Sequence, residues 1–322
     1  MSLTSALVTG STGFIGSALT RRLAAEGVKT YCLVREGRYN PAEFETLRGV
    51  EVIEIPSSQT EALRTALGGI TADVVFNLAS YGVNPKENDP EIMIESNLRF
   101  VTSLLHITSS WPLRRFIHAG SCFEYGEPRD RQPIKEDCPL RPISLYGAAK
   151  AASVLYGTVL AARLSVPFVT LRLFGVYGAG ERPHRLIPYI LGRLSCNKPV
   201  DLTPGKQVRD LLYIDDVVEA LVTAGNHDSM APFRVYNVCS GNPVTVRDVG
   251  ETVARVMGKP STLLHWGERK YSLDEPMWLL GDNRSFVETT KWKPNVSLLE
   301  GIRLLALDHA KRGVEKGRFS KV

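Results

Sequence analysis

Tyr146 and Lys150 are four positions apart in the run Tyr146-Gly147-Ala148-Ala149-Lys150. On a helix that spacing sets a phenol and an ammonium on one face. The lysine charge favours tyrosinate and lowers the phenol pKa, so Tyr146 can give a proton to a carbonyl oxygen as hydride arrives, or take one in reverse. Ser121 closes Ala119-Gly120-Ser121 after a predicted strand, where ligands of open α/β sheets gather, and can hydrogen-bond the same oxygen. Taken alone, a Tyr-x-x-x-Lys pair is more often a surface feature. A glycine-rich turn far upstream changes that reading.

The turn is Gly10-Ser11-Thr12-Gly13-Phe14-Ile15-Gly16, between a predicted strand at Ser5 to Thr9 and the helical spacing of Ile15, Ala18, Leu19 and Leu23. That context makes the glycines a dinucleotide fingerprint. Gly10 permits the tight turn, Gly13 lets the backbone approach a pyrophosphate, and Gly16 lets helix and strand pack closely. Gly10, Thr12, Gly13, Phe14, Ile15 and Gly16 are therefore the expected cofactor contacts. The end of the second strand selects the dinucleotide, because an acid there holds a free ribose hydroxyl and a base accepts a 2′-phosphate. Here Tyr31-Cys32-Leu33-Val34 runs into Arg35, with Arg38 within reach, so NADP(H) is expected over NAD(H). Glu36 argues the other way, since it lies about 20 residues after the last glycine, where a ribose-binding acid is found.

These residues need a frame. Short apolar runs alternate with amphipathic stretches through the first half, which predicts an α/β fold with a doubly wound parallel sheet of the Rossmann type. Strands are expected at Ser5 to Thr9, Val28 to Val34, Val50 to Ile55, Val74 to Leu78, Arg115 to Ala119 and Pro167 to Leu173. Helices are expected near Glu91 to Thr108 and Tyr146 to Arg163, with Gly27 as the C-cap of the first helix. After about Gly175 the rhythm breaks at Gly178, Gly180, Pro183, Pro188, Pro199, Pro204 and Gly205. The expected division is a cofactor domain at 1–175 and a smaller, mixed substrate lobe at 176–322, with about 207–240 returning to the first domain. A strand at Val235 to Val238 and a helix from Val244 to Met257 belong to this stretch.

Composition narrows the class. At 43% hydrophobic and 23% charged, the 322-residue chain has an ordinary globular balance, and no segment is expected to be long and apolar enough to span a bilayer. Met1 to Ala6 lacks the pattern of a secretory signal, so the cytoplasm is the expected compartment. Cys32, Cys122, Cys138, Cys196 and Cys239 are scattered, odd in number and without CxxC spacing, which speaks against a disulfide framework and a zinc site and predicts reduced thiols. A net charge of +5 without a basic run suits a phosphorylated ligand rather than nucleic acid. The basic stretch Lys311 to Lys321 is expected to be a solvated helix end.

The turn GSTGFIG, Ser121, YGAAK and the later RDLLYIDDVVEA together resemble the extended short-chain dehydrogenase/reductases, the sugar-nucleotide epimerase/dehydratase superfamily, from about Ala6 to Trp292. The resemblance implies that Ser121, Tyr146 and Lys150 are the catalytic trio, that Lys150 also holds the nicotinamide ribose, and that Arg209 contacts substrate phosphates. It also places Leu78 and Ala79 against the cofactor and Tyr81 against the substrate, and implies a homodimer. A structural ion pair of Arg209 with Asp210, or Asp215 capping the following helix, is the alternative reading of that motif.

Departures from the family pattern narrow the chemistry. Sugar-nucleotide 4,6-dehydratases carry Asp-Glu directly after the serine or threonine, and here those positions are Cys122 and Phe123. Dehydration is therefore disfavoured, unless a local bulge re-aims Glu124. Gly175 replaces an asparagine common before the VYG, Ser272 replaces a second phosphate-binding arginine that Arg269 or Lys270 could stand in for, and Ser57 replaces an adenine-binding aspartate. Arg35, with Leu78-Ala79-Ser80-Tyr81-Gly82, Arg185-Leu186-Ile187-Pro188-Tyr189-Ile190 and Glu275-Pro276-Met277-Trp278, resembles the branch that reduces 4-keto-6-deoxy sugar nucleotides. NADPH-dependent 4-keto reduction is thus the leading expectation, an NAD-retaining sugar-nucleotide 4-epimerase the alternative, and a non-catalytic NADP sensor the remaining one.

Overall fold

The computed structural model describes residues 3–84, 86–272 and 274–319. Seven parallel strands form the main sheet, in the order 235–238, 168–173, 115–121, 74–77, 5–9, 29–35, 50–55. The first half of the chain supplies six of them: β1 (Ser5–Thr9), β2 (Lys29–Arg35), β3 (Val50–Ile55), β4 (Val74–Asn77), β5 (Arg115–Ser121) and β6 (Phe168–Leu173). Between them lie α1 (Phe14–Ala25), α2 (Thr60–Ala66), α3 (Pro90–Ile94), α4 (Phe100–Thr108) and α5 (Leu145–Arg163). Then follow β7 (Gly175–Tyr177), α6 (Leu186–Ser195), β8 (Val200–Leu202), β9 (Val208–Tyr213) and α7 (Ile214–Asn226). β10 (Val235–Val238), β11 (Pro243–Thr245), α8 (Val246–Val256), β12 (Leu264–Trp266), β13 (Trp278–Leu279), α9 (Arg284–Thr290) and α10 (Leu298–Phe319) complete the order.

The inner strands of the sheet are covered on both faces and are largely continuous apolar runs, whereas the edge strand β3 alternates, with Glu51 and Glu54 exposed. Leu19 and Leu23 of α1 and Val217 and Leu221 of α7 pack on one face with Ala6, Val8, Phe76 and Ile117. Leu63 of α2, Leu104 of α4 and Ala161 of α5 pack on the other with Leu7, Val75, Phe116 and Phe168. α7 lies beside α1, and β10 pairs in parallel with β6, so two late segments are built into the first half's sheet. A four-stranded sheet of β7, β9, β11 and β13 and a two-stranded one of β8 and β12, with α6 and α8, form the smaller part. Gly27, in the left-handed region at φ +76, ends α1 with Val28 N–H on Leu23 C=O, the Schellman arrangement.

The helix expected over Glu91 to Thr108 is present, with a π turn at Glu95–Arg99 between α3 and α4. Three other readings are corrected. α5, at 19 residues, is long and apolar enough to cross a membrane by length and composition, contrary to expectation; seven of its residues, Lys150 among them, are buried. Asp215 does not cap α7: the helix starts at Ile214, Tyr213 holds the cap position, and Asp215 sits in the first turn, where the helix dipole favours an acid. Arg209 and Asp210 do not pair, because neighbours on a strand point to opposite faces. The basic stretch at the C-terminus lies, beyond Lys311, outside the residues whose side chains are described.

Candidate active site

The site forms where β1, β4 and β5 end and α1 and α5 begin. Gly10 takes φ +68, and a side chain there would strike the backbone of Leu78 and Ala79. A side chain on Gly16 would strike the Gly10 carbonyl, so α1 can pass close over β1 only without one. Gly13 N–H donates to Gly10 C=O at 2.9 Å and begins α1. α1 has no side-chain cap and no acid in its first turn, which leaves its amides and positive dipole end to an external anion. The residues present therefore fit a dinucleotide pyrophosphate, with Thr12, Phe14 and Ile15 alongside it.

Arg35 closes β2, and Arg35, Glu36 and Arg38 are all exposed at that strand end. Ser57, after β3, is half-buried, and its Oγ accepts the Gln59 N–H at 3.4 Å. Leu78 and Ala79 follow β4 and are half-buried.

Ser144 caps α5, its Oγ accepting the Gly147 N–H at 3.1 Å, so Tyr146 falls in the first turn and Lys150 one turn later. Gly147 has no side chain to hold α5 away from the Phe123 carbonyl, and the Phe123 ring meets Tyr146 edge-on at 6.1 Å. Ser121 ends β5, its Oγ accepting the Phe123 N–H at 3.3 Å, and the hydroxyls of Ser80 and Ser121 lie near enough to the Tyr146 phenol to favour its ionised form. The structure thus brings Ser121 and Tyr146 together, with Lys150 one helical turn beyond and buried.

The electrostatics differ from expectation. Burial raises the Tyr146 pKa, and hydrogen bonding to Ser80 and Ser121 only partly offsets it, so the phenol sits above its ordinary value instead of below. Lys150 is 2% exposed, and burial lowers its ammonium from 10.5 to about 8 against the opposing pull of the Glu124 carboxylate. Desolvation of the phenol is the largest influence on it and outweighs the two serine hydroxyls.

Glu124 is not re-aimed toward a substrate. Its Oε1 accepts the Ser121 N–H at 2.7 Å and its Oε2 accepts Arg172 Nε at 2.6 Å, both in full burial. Gly120 is bare because this carboxylate lies against it. Arg172 goes on to donate to Tyr125 Oη at 2.8 Å, which donates to Asn237 Oδ1 at 2.7 Å. Cys122 is buried, and burial pushes its thiol up to about 12, which leaves no ready acid or base at that position.

Two contributors escaped sequence reading. Asn97, inside the π turn, donates to the carbonyls of Tyr81 and Met93 at 2.9 and 3.0 Å and accepts from Ser80 Oγ at 2.8 Å. It thereby fixes the segment carrying Ser80 and Tyr81 beside the phenol; π turns of this kind recur at functional sites. Arg172 is the other, a charge inside an otherwise apolar strand.

Tyr81 is half-buried at the site's rim. Arg209 forms an ion pair with Glu275 and donates to the Val208 carbonyl at 2.8 Å. Asp210 instead accepts the N–H groups of Ser240, Gly241 and Gly281. Arg269 stacks over Tyr189 at 4.5 Å and donates to its hydroxyl.

Residues 6–239 match the model of the NAD dependent epimerase/dehydratase family. The chain belongs to that family. This family member is 30% identical to a UDP-glucose 4-epimerase of Streptomyces lividans, over 79% of this chain and 81% of that protein. It is 26% identical to a dTDP-6-deoxy-L-talose 4-dehydrogenase (NAD(P)(+)) of Kitasatospora kifunensis, over 92% of this chain and 93% of that one. The crystal structure of Thermus thermophilus UDP-glucose 4-epimerase with NAD superposes with a TM-score of 0.85 at 26% identity, covering 95% and 99% of the two chains. The family is one of nicotinamide-dependent enzymes, and the Rossmann-like sheet is its sheet.

Proposed function

We propose that this family member reduces the 4-keto group of a nucleotide-activated (6-deoxy)hexose with NADPH, using Ser121, Tyr146 and Lys150. The observation that carries the direction is the pair Arg35 and Arg38, two exposed cations at the strand end where the adenosine ribose lies in such sheets. The likeness to a dehydrogenase named for NAD(P)(+) supports it. Bound nicotinamide supplies the hydride. Ser121 and Tyr146 donate hydrogen bonds to the ketone oxygen, and the Tyr146 proton moves to that oxygen as its charge develops. A phenol raised above its ordinary pKa is in its acid form at neutral pH, which suits proton donation in reduction. Lys150 contributes positive charge beneath the phenol and a donor for the ribose. With Glu124 committed to Ser121 and Arg172, loss of water from the sugar lacks its acid and base, in keeping with reduction.

The second reading is a 4-epimerase that retains NAD, which the Streptomyces lividans relative favours. Both share the trio and differ in whether cofactor leaves after each turnover. We place the substrate's diphosphate at Arg209 and the protein in the cytoplasm, in keeping with its five free cysteines. We also propose a homodimer through α5, whose Leu155, Tyr156 and Val159 are 60%, 58% and 59% exposed.

The test is a panel of nucleotide sugars and 4-keto-6-deoxy nucleotide sugars, each with NADPH and NADH. Reduction preferring NADPH is expected, with Tyr146→Phe lowering kcat by roughly 10²–10⁴-fold. Protein purified with a full complement of NAD and interconverting 4-epimers overturns the reductase reading. Near-wild-type kcat in Tyr146→Phe overturns the trio.

A further inference from the structure

A chain of buried polar groups from β1, β4, β5 and α5 lies behind the trio. Thr9, Asn77, His118 and Ser153 are all buried. The N–H groups of Leu78 and Ala79 donate to Thr9 Oγ1 at 3.2 and 3.1 Å. The Thr9 hydroxyl donates to Asn77 Oδ1 at 2.7 Å. Asn77 then has only its amide Nδ2 to offer His118 Nδ1, 3.0 Å away. Nδ1 must accept, so the imidazole proton sits on Nε2 and is donated to Ser153 Oγ at 3.1 Å. The Ser153 hydroxyl donates to the Lys150 carbonyl at 2.8 Å. Every donor finds one acceptor, in one direction. Burial, with the Lys150 charge nearby, keeps the imidazole neutral, and its ring stacks on Phe168 at 5.6 Å.

The chain stops on the backbone carbonyl of Lys150 and not on its ammonium, so it offers no path for a proton. What it joins are two walls of one cleft. We propose that His118 is a positioning residue that ties the Leu78–Ala79 edge of the cofactor cleft to the α5 turn bearing Tyr146 and Lys150. This rests on the trio being the hydride-transfer site. Small displacements of such groups weigh heavily, since an error near 1 Å can cost about 10²-fold in rate.

His118→Phe keeps a stacking ring and loses both nitrogens, and Ser153→Ala cuts the last link inside a helix that tolerates alanine. Each should lower kcat by about tenfold while KM moves by less than about twofold, and the double variant should fall little further than either single. His118→Gln, which can still donate to Ser153, should recover part of the loss. Nitrogen-15 spectra of histidine-labelled wild type should show His118 with a bare Nδ1, an Nε2 proton and no titration between pH 5 and 8. Wild-type kcat in folded His118→Phe, additive losses in the double variant, or an Nδ1 proton overturns the inference. If Tyr146→Phe is inactive while His118→Phe is not, positioning alone fails; if Tyr146→Phe is active, the assignment of the trio fails.

Discussion

Lys150→Met probes the site through stability as well as through rate, because the lysine is both useful and costly where it stands. Its ammonium is buried, and burial takes its pKa from 10.5 to about 8. At 1.36 kcal/mol per pKa unit, holding that charge inside costs the folded protein about 3 kcal/mol at pH 7. The sign follows from proton binding. The unfolded chain keeps the proton up to about 10.5 and the folded protein releases it near 8, so between those values the unfolded chain binds more protons and wild-type stability rises with pH. Below pH 8 the penalty is complete, and above 10.5 it is gone. Met retains most of the stem without the charge. Urea unfolding without dinucleotide should therefore find Lys150→Met more stable than wild type by about 2–3 kcal/mol at pH 7 and by under about 1 kcal/mol at pH 10. Activity and dinucleotide affinity should both fall. A variant less stable than wild type at pH 7, or a stability difference indifferent to pH, refutes the reasoning.

Arg35→Asp should weaken NADP(H) relative to NAD(H) by about 1–3 kcal/mol in comparative titrations, the scale of one charge-assisted contact. Glu124→Gln should destabilise the fold by roughly 3 kcal/mol in denaturant melts, because Arg172 keeps its buried charge and loses its counter-ion. Neither wild type nor that variant should convert dTDP-glucose, CDP-glucose or GDP-mannose to a 4-keto-6-deoxy product; formation by wild type, abolished in Glu124→Gln, would make Glu124 an active-site acid. Arg209→Ala should raise KM for the nucleotide sugar by about tenfold with kcat little changed, as expected for a contact equally present in ground and transition states.

Most of the sheet is readable because its inner strands are buried on both faces. β1 and β10 lie where their apolar runs predict, β3 where the alternation of apolar residues with Glu51 and Glu54 does, and β5 extends two residues further, to Ser121. Helices of the second half were harder. Pro188 reads as punctuation in the sequence, yet it sits in the first turn of α6, where a missing N–H removes no helical bond. The π turn had no sequence signal, since Asn97 matters through the carbonyls of Tyr81 and Met93 it reaches across space. Arg172 and His118 did leave a mark, as a charge and an imidazole inside apolar runs, but what they hold is set by neighbours far along the chain. The phenol's raised pKa is hidden from the sequence for a related reason: spacing reveals the lysine but not the desolvation of either group.

β10 also bears on how the protein is made. β6 is buried along its whole length, and its outer edge is filled by a strand that follows it by some sixty residues of chain. While a ribosome is still translating the intervening segment, β6 presents an unpaired apolar border, the kind of surface on which nascent chains stick to one another. Synthesis runs at about 5–20 residues per second, so that border stays open for several seconds in every new molecule. A messenger truncated after Tyr177 would encode the glycine turn, Ser121, Tyr146 and Lys150, and still yield a product prone to aggregate.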